Sequence, residues 1–328
     1  NLYGKSTTGT GHFEVEAPSM GNLVVNSDNI YNFAVSGNKM YFFAADSATP
    51  TDYKLWSIDD SGNLTMVNDI DFTPGTPFTS SIQAYGYTQN VMEIMDGKIY
   101  VNSANSSWNT ADAATKVYEI ATDAWSNLQY NSSDLQGTSL MGKFRYNSQD
   151  VIIYGKRVNW NYTYYYVAAD GVVHQLGNIS TGYSGAFVNF GERLFFWNYP
   201  VFSEVSTTDA SLTDMTQTLA PGATSLNIES AVETNGMLVM MARENRSETT
   251  VERIYKWDGT GIWLPVGNIA PVNNTTWLPE YPTTTGWGRN VAMGATGTGV
   301  VVNLYIDGEA GYEPYYVKLD GTTTLAAN

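Results

Sequence analysis

Gly37–Phe43, with the sequence GNKMYFF, joins a polar turn to an apolar strand, and its recurrence decides the fold. Gly and Asn tolerate the positive φ angles of tight hairpin turns, and the apolar run that follows is typical of a buried strand. The pattern recurs roughly 40–65 residues apart, which is the period of a repeat architecture. Its six copies are Gly37–Phe43, Asp96–Val101, Gln149–Tyr154, Gly191–Phe196, Asn235–Met240 and Gly297–Val302.

Each copy is followed by a second strand that ends in an acidic turn, as in Lys54–Asp59 and Arg253–Gly259. A further strand precedes the motif (Ser225–Ser230) and a short one follows the acidic turn (Val172–Leu176), so each unit has four strands. A β-sandwich would not repeat its turn chemistry six times, and a β-solenoid would have a shorter period. The sequence therefore predicts an all-β fold, a six-bladed β-propeller of four-stranded antiparallel blades over residues 29–328.

Residues 1–28 precede the first complete unit and form a separate N-terminal segment. Phe13–Ala17 alternates and Leu23–Val25 is apolar, so both are predicted to be strands. Such a strand would close the ring by joining the last blade, or would pair with a partner, because an open sheet edge invites association. The first residue is Asn1 and not Met, which indicates a mature or trimmed product.

The amino-acid composition argues against some classes of binding partner. Asp and Glu number 32 against 16 Lys and Arg, which gives a net charge of −16. Such a chain is repelled by phosphate backbones and anionic lipids, so neither nucleic acid binding nor direct membrane insertion is expected. The chain has no Cys, which excludes disulfides and thiolate sites. The Asn, Thr, Tyr and Gly bias predicts an extracellular or cell-surface location.

Several segments resemble the repeats of bacterial extracellular β-propeller proteins. Met40–Phe43, Tyr53–Trp56 and Asn68–Gly75 follow the pattern LYFTA…ELWxTDGT…VxDIxPG, and Arg253–Thr260 and Leu219–Gly222 echo parts of it. The spacing of the units is also similar to that of kelch-like repeats. The resemblance implies an extracellular protein that is seldom catalytic.

The predicted propeller has two unlike faces. The turns between third and fourth strands are short, whereas the connections between second and third strands, such as 102–115 and 155–162, are long. Long loops on a rigid scaffold are where binding residues concentrate, and flat rings stack on sugar or peptide groups. The alternative for each ring is packing between blades. The candidate ligand-binding residues are Trp108, Arg157, Trp160, Tyr162, Trp197, Tyr199, Trp277 and Tyr281.

These features favour a non-enzymatic binding or adhesion propeller that recognises a glycan or a protein. One alternative is a structural or accessory subunit of a surface complex, filament or virion. Another is a carbohydrate-active hydrolase, which would need two facing carboxylates. The acids available for it are Asp46, Asp52, Asp112, Glu204, Glu244, Glu280 and Glu313.

Other chemistry has little support in the sequence. The two histidines, His12 and His174, are too few for a zinc site and are not placed for a catalytic triad. No nucleotide-binding glycine motif is present. Calcium is the metal that the sequence leaves open, because oxygen ligands crowd two turns. The first turn holds Asp59, Asp60, Ser61 and Asn63, and the second holds Asn68, Asp69 and Asp71.

Overall fold

The structure is a computed structural model in which antiparallel β-sheets follow one another along the chain. Within the residues that it describes there are 29 strands and one helix of a single turn, which confirms the all-β prediction. The described residues are 2–5, 12–15, 23–24, 33–46, 53–67, 92–101, 114–158, 161–176, 185–198, 201–247, 250–266, 293–305, 312–320 and 323–325.

The first half of the chain forms a hairpin, then sheets 1 and 2, then a second hairpin. The first hairpin is β1 (Leu2–Lys5) and β2 (His12–Val15); sheet 1 is β3 (Leu23–Val24), β4 (Phe33–Ser36), β5 (Lys39–Asp46), β6 (Tyr53–Asp59) and β7 (Leu64–Met66); sheet 2 is β8 (Met92–Met95), β9 (Lys98–Val101), β10 (Lys116–Glu119) and β11 (Ala124–Asn127); the second hairpin is β12 (Gln129–Tyr130) and β13 (Ser133–Asp134).

The second half forms sheets 3 to 6, each from four consecutive strands. Sheet 3 is β14 (Thr138–Tyr146), β15 (Gln149–Val158), β16 (Asn161–Val167) and β17 (Val173–Gln175); sheet 4 is β18 (Ala186–Phe190), β19 (Arg193–Asn198), β20 (Val201–Val205) and β21 (Leu212–Asp214), followed by α1 (Thr216–Leu219); sheet 5 is β22 (Ser225–Thr234), β23 (Met237–Asn245), β24 (Thr250–Trp257) and β25 (Leu264–Pro265); sheet 6 is β26 (Met293–Ala295), β27 (Gly299–Tyr305), β28 (Tyr312–Lys318) and β29 (Thr323–Leu325).

The recurring turn-and-strand motif is the hairpin between the first two strands of every sheet, as predicted. In sheet 5 that turn is Asn235-Gly236, and both residues have positive φ, 49° and 68°. Such angles twist the turn in the same hand as the strands, so the register from Thr234–Met237 onward is fixed locally. Two sheets carry a β-bulge in the first strand, at Leu140/Gly142 and at Ile228/Ser230.

Sheet 1 departs from the predicted four strands because its first strand is in two pieces. β4 pairs with one half of β5, through Phe33 opposite Phe42, and β3 pairs with the other half, through Leu23 opposite Asp46. Leu23 and Val24 of the N-terminal segment are therefore part of sheet 1. β1 and β2 pair with each other. Ring closure by residues 1–28 stays a prediction.

The core is a series of apolar layers, each lying between two consecutive sheets. Tyr164 of sheet 3, for example, packs edge-on against Phe187 and Phe196 of sheet 4, with ring centroids 5.1 and 5.2 Å apart. Such layers join sheets 1 and 2, 2 and 3, 3 and 4, 4 and 5, and 5 and 6. Inner sheets are thus buried on both faces, which explains why their second strands are continuous apolar runs and not alternating ones.

A sixth apolar layer lies on the face of sheet 1 that is turned away from sheet 2. Its described buried members all belong to sheet 1, with Phe42 only 1% exposed. In β5, Phe42 points into this layer and its neighbour Phe43 into the layer shared with sheet 2, because successive side chains of a strand alternate. Both faces of the first sheet are therefore covered.

Candidate functional site

The two ends of the sheets carry connections of different length. Because neighbouring strands are antiparallel, the connections between first and second and between third and fourth strands share one end, which we call the tight-turn end. Connections between second and third strands, and those between sheets, share the other, which we call the open end. The tight-turn end carries short connections, such as 191–192 and 258–263, whereas 67–91, 102–115 and 266–292 all belong to the open end. This asymmetry is the one that the sequence predicted.

At the tight-turn end, aspartates close the turns with their own side chains. Asp59 Oδ1 accepts the backbone N–H groups of Ser61 and Asn63 at 3.0 and 2.8 Å, and Asp258 Oδ1 accepts that of Thr260 at 2.9 Å. A hydrogen bond from the Asn63 side chain is the main cause that lowers the pKa of Asp59 below its ordinary value, and the backbone bonds add to it. The bond from the Thr260 N–H likewise lowers the pKa of Asp258. The acidic turns of the repeat are thus explained by backbone capping.

The hydrogen bonds of the Asp59 turn also occupy oxygens that were predicted as calcium ligands. Asp59 Oδ2 also accepts a hydrogen bond from the Asn63 side chain at 2.9 Å, so both of its oxygens are engaged within the turn. Among the described residues, no group of three or more His, Cys, Asp or Glu side chains is placed to hold a metal ion. Asn68, Asp69 and Asp71 lie outside the described residues.

At the open end of sheet 3, Arg157 and Tyr162 are directly opposed across β15 and β16. The prediction of a long loop over 155–162 is wrong, because strand pairing continues to Val158 and Asn161. Every second residue of β16, such as Tyr162 and Tyr164, packs on the apolar layer shared with sheet 4. This packing stabilises the longer strand pairing. The Tyr162 ring is half-buried and stacks on Tyr164, with centroids 6.3 Å apart.

Trp197 lies in the core, in the layer between sheets 4 and 5, and is only 5% exposed. Its neighbour Phe196 points into the layer between sheets 3 and 4, where Tyr162 also packs, because strand side chains alternate. Tyr162 and Trp197 therefore lie on opposite faces of sheet 4 and do not form one cluster. The other candidates, namely Trp108, Trp160, Tyr199, Trp277, Tyr281 and the side chain of Arg157, lie outside the described residues.

A polar cluster that the sequence did not assemble lies between sheets 4 and 5, with Glu244 and Arg246 towards the open end and Trp263 at the end of the 258–263 connection. The carboxylate of Glu244, only 6% exposed, accepts a hydrogen bond from Trp263 Nε1 at 2.5 Å. Its other oxygen, Oε2, accepts from Arg246 Nε at 3.2 Å and Nη2 at 2.9 Å. The Tyr255 ring stacks on Trp263, with centroids 4.1 Å apart and planes 11° from parallel. The buried charge of Glu244 is thus paired and hydrogen-bonded, as burial requires.

The cluster also fixes the link between sheets 4 and 5. Arg246 Nη1 donates to the Pro221 carbonyl at 2.9 Å, and the backbone N–H of Trp263 donates to the Leu219 carbonyl at 3.1 Å. Burial raises the pKa of Tyr255, and the negative charge of Glu244 raises it further. Tyr255 therefore stays a neutral phenol. No short sequence motif marks this group, because its members come from β23, β24 and two turns.

Arg253 completes the cluster on β24. It is directly opposite Ala242 and two residues from Tyr255, so it lies on the face of sheet 5 that packs against sheet 4. Its Nε is buried and has no hydrogen-bond partner among the described residues. Glu244, Arg246 and Arg253 together leave one positive charge in this cluster.

Glu204 and Glu244, the two candidate acids whose side chains the structure describes, do not form a facing carboxylate pair. Glu204 Oε1 and Oε2 accept hydrogen bonds from Arg193 Nε and Nη2, both at 2.7 Å, beside the tight-turn end of sheet 4. Glu204 was predicted to lie in a long loop, but it is the second-last residue of β20, whereas Glu244 lies near the open end of β23. The side chains of Asp46, Asp52, Asp112, Glu280 and Glu313 lie outside the described residues.

No family profile and no curated protein sequence matches the chain, so the kelch-like and ELWxxDGT resemblance has no family match behind it. Solved structures do match, and they are β-propeller-like proteins. A prolyl endopeptidase aligns with a TM-score of 0.56 at 11% identity, over 91% of this chain and 43% of its own. A puromycin hydrolase aligns with a TM-score of 0.54 at 11% identity, over 90% and 46%. TolB from Acinetobacter baumannii aligns with a TM-score of 0.42 at 13% identity, over 88% and 63%.

This chain spans less than half the length of the prolyl endopeptidase and the puromycin hydrolase. At such low identity the likeness describes the fold alone. Among the described residues, no helix is long and apolar enough to cross a bilayer. The structure and the comparisons together show an all-β, β-propeller-like fold built from antiparallel, mostly four-stranded sheets.

Proposed function

We propose that this chain is a non-enzymatic recognition module of the cell surface or extracellular space, which binds a glycan or a protein through its open end. The observation that carries the proposal is the asymmetry of the two ends. Short turns stiffened by aspartate side chains occupy one end, and every long connection belongs to the other. Binding residues concentrate on loops that a rigid scaffold positions.

The scaffold is, in this proposal, a closed ring of six blades. Five apolar layers join the six sheets in chain order. The sixth layer covers the outer face of sheet 1, including Met40 and Phe42. Closure against sheet 6 would give this face the same kind of partner that every inner face has. A closed ring also leaves no long sheet edge exposed to unwanted pairing.

The two candidate acids that the structure describes, Glu204 and Glu244, support binding over hydrolysis. A glycoside hydrolase needs one protonated and one ionised carboxyl group roughly 5–9.5 Å apart across the substrate. Glu204 and Glu244 are instead each held by an arginine, and they lie towards opposite ends of their sheets. Within the described residues, these two carboxylates serve the framework.

The proposal is tested by applying the whole chain to an array of glycans and peptides. We expect saturable binding to one class of ligand, weakened at least tenfold by Trp160→Ala or Tyr162→Ala. Ile262→Ala, which removes an exposed apolar side chain at the tight-turn end, is the matched control and should leave binding unchanged. The melting temperature of each variant shows whether a ring acts in the core or at the ligand.

Three results would contradict the proposal in different ways. Release of reducing ends from a bound polysaccharide would identify a hydrolase. A defined oligomer in light scattering, without binding to any array member, would identify an assembly subunit. Equal loss of binding in Ile262→Ala would move the interface to the tight-turn end.

A further inference from the structure

Arg253 is a charged side chain that has no hydrogen-bond or ion-pair partner among the described residues. Its Nε is buried, yet it makes no hydrogen bond with any described residue, and no described carboxylate lies within ion-pair distance of its guanidinium. The positive charge of a half-buried guanidinium costs stability unless an anion balances it, so an anion at the guanidinium tip would compensate this cost.

None of the described groups near Arg253 neutralises its charge. The charge of Glu244 is already balanced by Arg246, whose Nη2 lies 2.9 Å from Oε2. Tyr255, two residues away on the same face of β24, stacks on Trp263, and the two rings are 4% and 3% exposed. Among the described members of the cluster, the guanidinium of Arg253 is therefore the charge without a counter-ion.

The accessible part of Arg253 is its tip. The residue is half-buried and Nε is its inaccessible unpaired nitrogen, so Nη1 and Nη2 reach solvent. The two terminal nitrogens of a guanidinium match the two oxygens of a carboxylate in a planar, bidentate arrangement. A monoanion also suits this protein, because its overall charge of −16 repels polyanions.

We propose that Arg253 is an anion subsite that pairs with the carboxylate of an acidic sugar, such as a uronic acid residue of a glycan. This inference rests on the recognition function proposed above and names the class of ligand. Sugar is favoured over peptide because the rings of Tyr255 and Trp263 are buried and offer no exposed apolar surface for a peptide side chain. Of the exposed apolar residues of sheet 5, Leu264 is opposite Lys256 and therefore faces away from Arg253, and Ile262 lies in the 258–263 turn. Exposed Thr224 and Ser247, at the open end of the same sheet, suit sugar hydroxyl groups.

The test is calorimetric titration of the whole chain with oligosaccharides that carry a single galacturonate, glucuronate or mannuronate residue. The methyl esters of the same oligosaccharides serve as neutral partners of equal size. We expect an acidic oligomer to bind at least ten times more tightly than its ester. Arg253→Gln should abolish that difference, and Arg253→Lys should restore part of it. Lys143→Gln removes an exposed positive charge from sheet 3 and should leave binding unchanged.

The melting temperature separates a ligand-binding role of Arg253 from a structural one. No described residue pairs with the guanidinium, and glutamine keeps the aliphatic stem with an amide group at the position of Nε, so the melting temperature of Arg253→Gln should change by less than about 3 °C. A larger fall, with binding intact, would show that Arg253 serves the framework and would overturn the proposal.

The binding outcomes separate this inference from the function on which it rests. An array ligand that binds Arg253→Gln as well as the native chain would overturn the subsite and leave the recognition function standing. Binding of a glutamate-rich peptide, but of no acidic oligomer, would overturn the assignment to sugar. Absence of binding to every oligomer and every array member would overturn both proposals.

Discussion

The side-chain amide of Asn189 makes both hydrogen bonds of a peptide group with the backbone of Arg145. Oδ1 accepts the N–H of Arg145 and Nδ2 donates to its carbonyl, each at 2.6 Å. Asn189 belongs to sheet 4 and Arg145 to sheet 3, so one side chain links two sheets by the pairing that otherwise joins strands within a sheet. Nδ2 also donates to the carbonyl of Arg193 at 3.2 Å.

Asn189→Asp should destabilise the protein. Aspartate keeps an acceptor for the Arg145 N–H but loses the donor, and its charge faces the carbonyl groups of Arg145 and Arg193. We expect the free energy of unfolding to fall by about 1–3 kcal/mol in urea denaturation. Asn235→Asp, in an exposed turn, is the matched control and should change it by less than about 0.5 kcal/mol. Equal effects of the two substitutions would contradict a bridging role for Asn189.

Trp263→Phe should cost more stability than Trp257→Phe. Trp263 donates to the buried carboxylate of Glu244 at 2.5 Å, whereas Trp257 donates to the carbonyl of Gly261 at 3.2 Å. Loss of a hydrogen bond to a charged group costs about 1.5–3 kcal/mol, against about 1 kcal/mol for a neutral one. Both substitutions remove the same atoms from buried rings, so their difference in urea denaturation isolates the hydrogen bond. A larger loss for Trp257→Phe would show that Glu244 does not depend on Trp263.

Gly299→Ala should destabilise sheet 6 through a steric clash. A Cβ at Gly299 would lie 2.2 Å from the carbonyl oxygen of Val317 and 2.9 Å from the Cα of Lys318, and backbone atoms cannot move away cheaply. We expect a loss of about 1–3 kcal/mol in the free energy of unfolding. Gly294→Ala, in the neighbouring strand, meets nothing within 4 Å and serves as the control. Equal stabilities for the two variants would argue against close packing of β27 on β28.

Stability should fall steeply in alkali because of buried tyrosines. Burial, with the nearby charges of Asp96 and Asp170, raises the pKa of Tyr100 to about 12. An unfolded tyrosine titrates near about 10, so between pH ~10 and 12 the folded protein retains a proton that the unfolded chain has released. The contribution of Tyr100 to the free energy of unfolding is therefore fully present below pH ~10, and it declines as the pH rises from there to 12.

Denaturation series from pH 8 to 12 would measure this decline. Tyr100→Phe should flatten it, because the variant has no phenol to titrate at that position. Tyr316→Phe should not flatten it, since a hydrogen bond from Thr298 lowers the pKa of Tyr316. An unchanged slope in Tyr100→Phe would show that other groups govern alkaline unfolding.

The sequence predicted the hairpins well because their cause is local. Asn235 and Gly236 adopt positive φ wherever such a turn occurs, and Asp258 caps its own turn two residues on. The prediction from sequence failed at residues 155–162, where polar residues indicated a loop. There the pairing of Arg157 with Tyr162 extends a hairpin whose packing partners lie in the next sheet.

The candidate site shows the same difference between features with a local cause and features that depend on distant residues. Trp197 was expected at a ligand surface and lies in the core, because the direction of a strand side chain depends on which sheet packs on which face. The cluster of Glu244, Arg246, Arg253 and Trp263 escaped prediction, since its members are up to 19 residues apart and meet only across strands and turns.

The sequence by itself determined the repeat, the turns and the all-β class, because these follow from backbone preferences and from apolar patterns within about ten residues. Only the tertiary structure decided which aromatic rings are buried and which charges are paired. Arg246 neutralises Glu244, and Arg253 has no partner among the described residues, because of the way β23, β24 and the Trp263 turn are brought together. Burial and charge compensation are properties of neighbours in space, and these neighbours are distant in the chain.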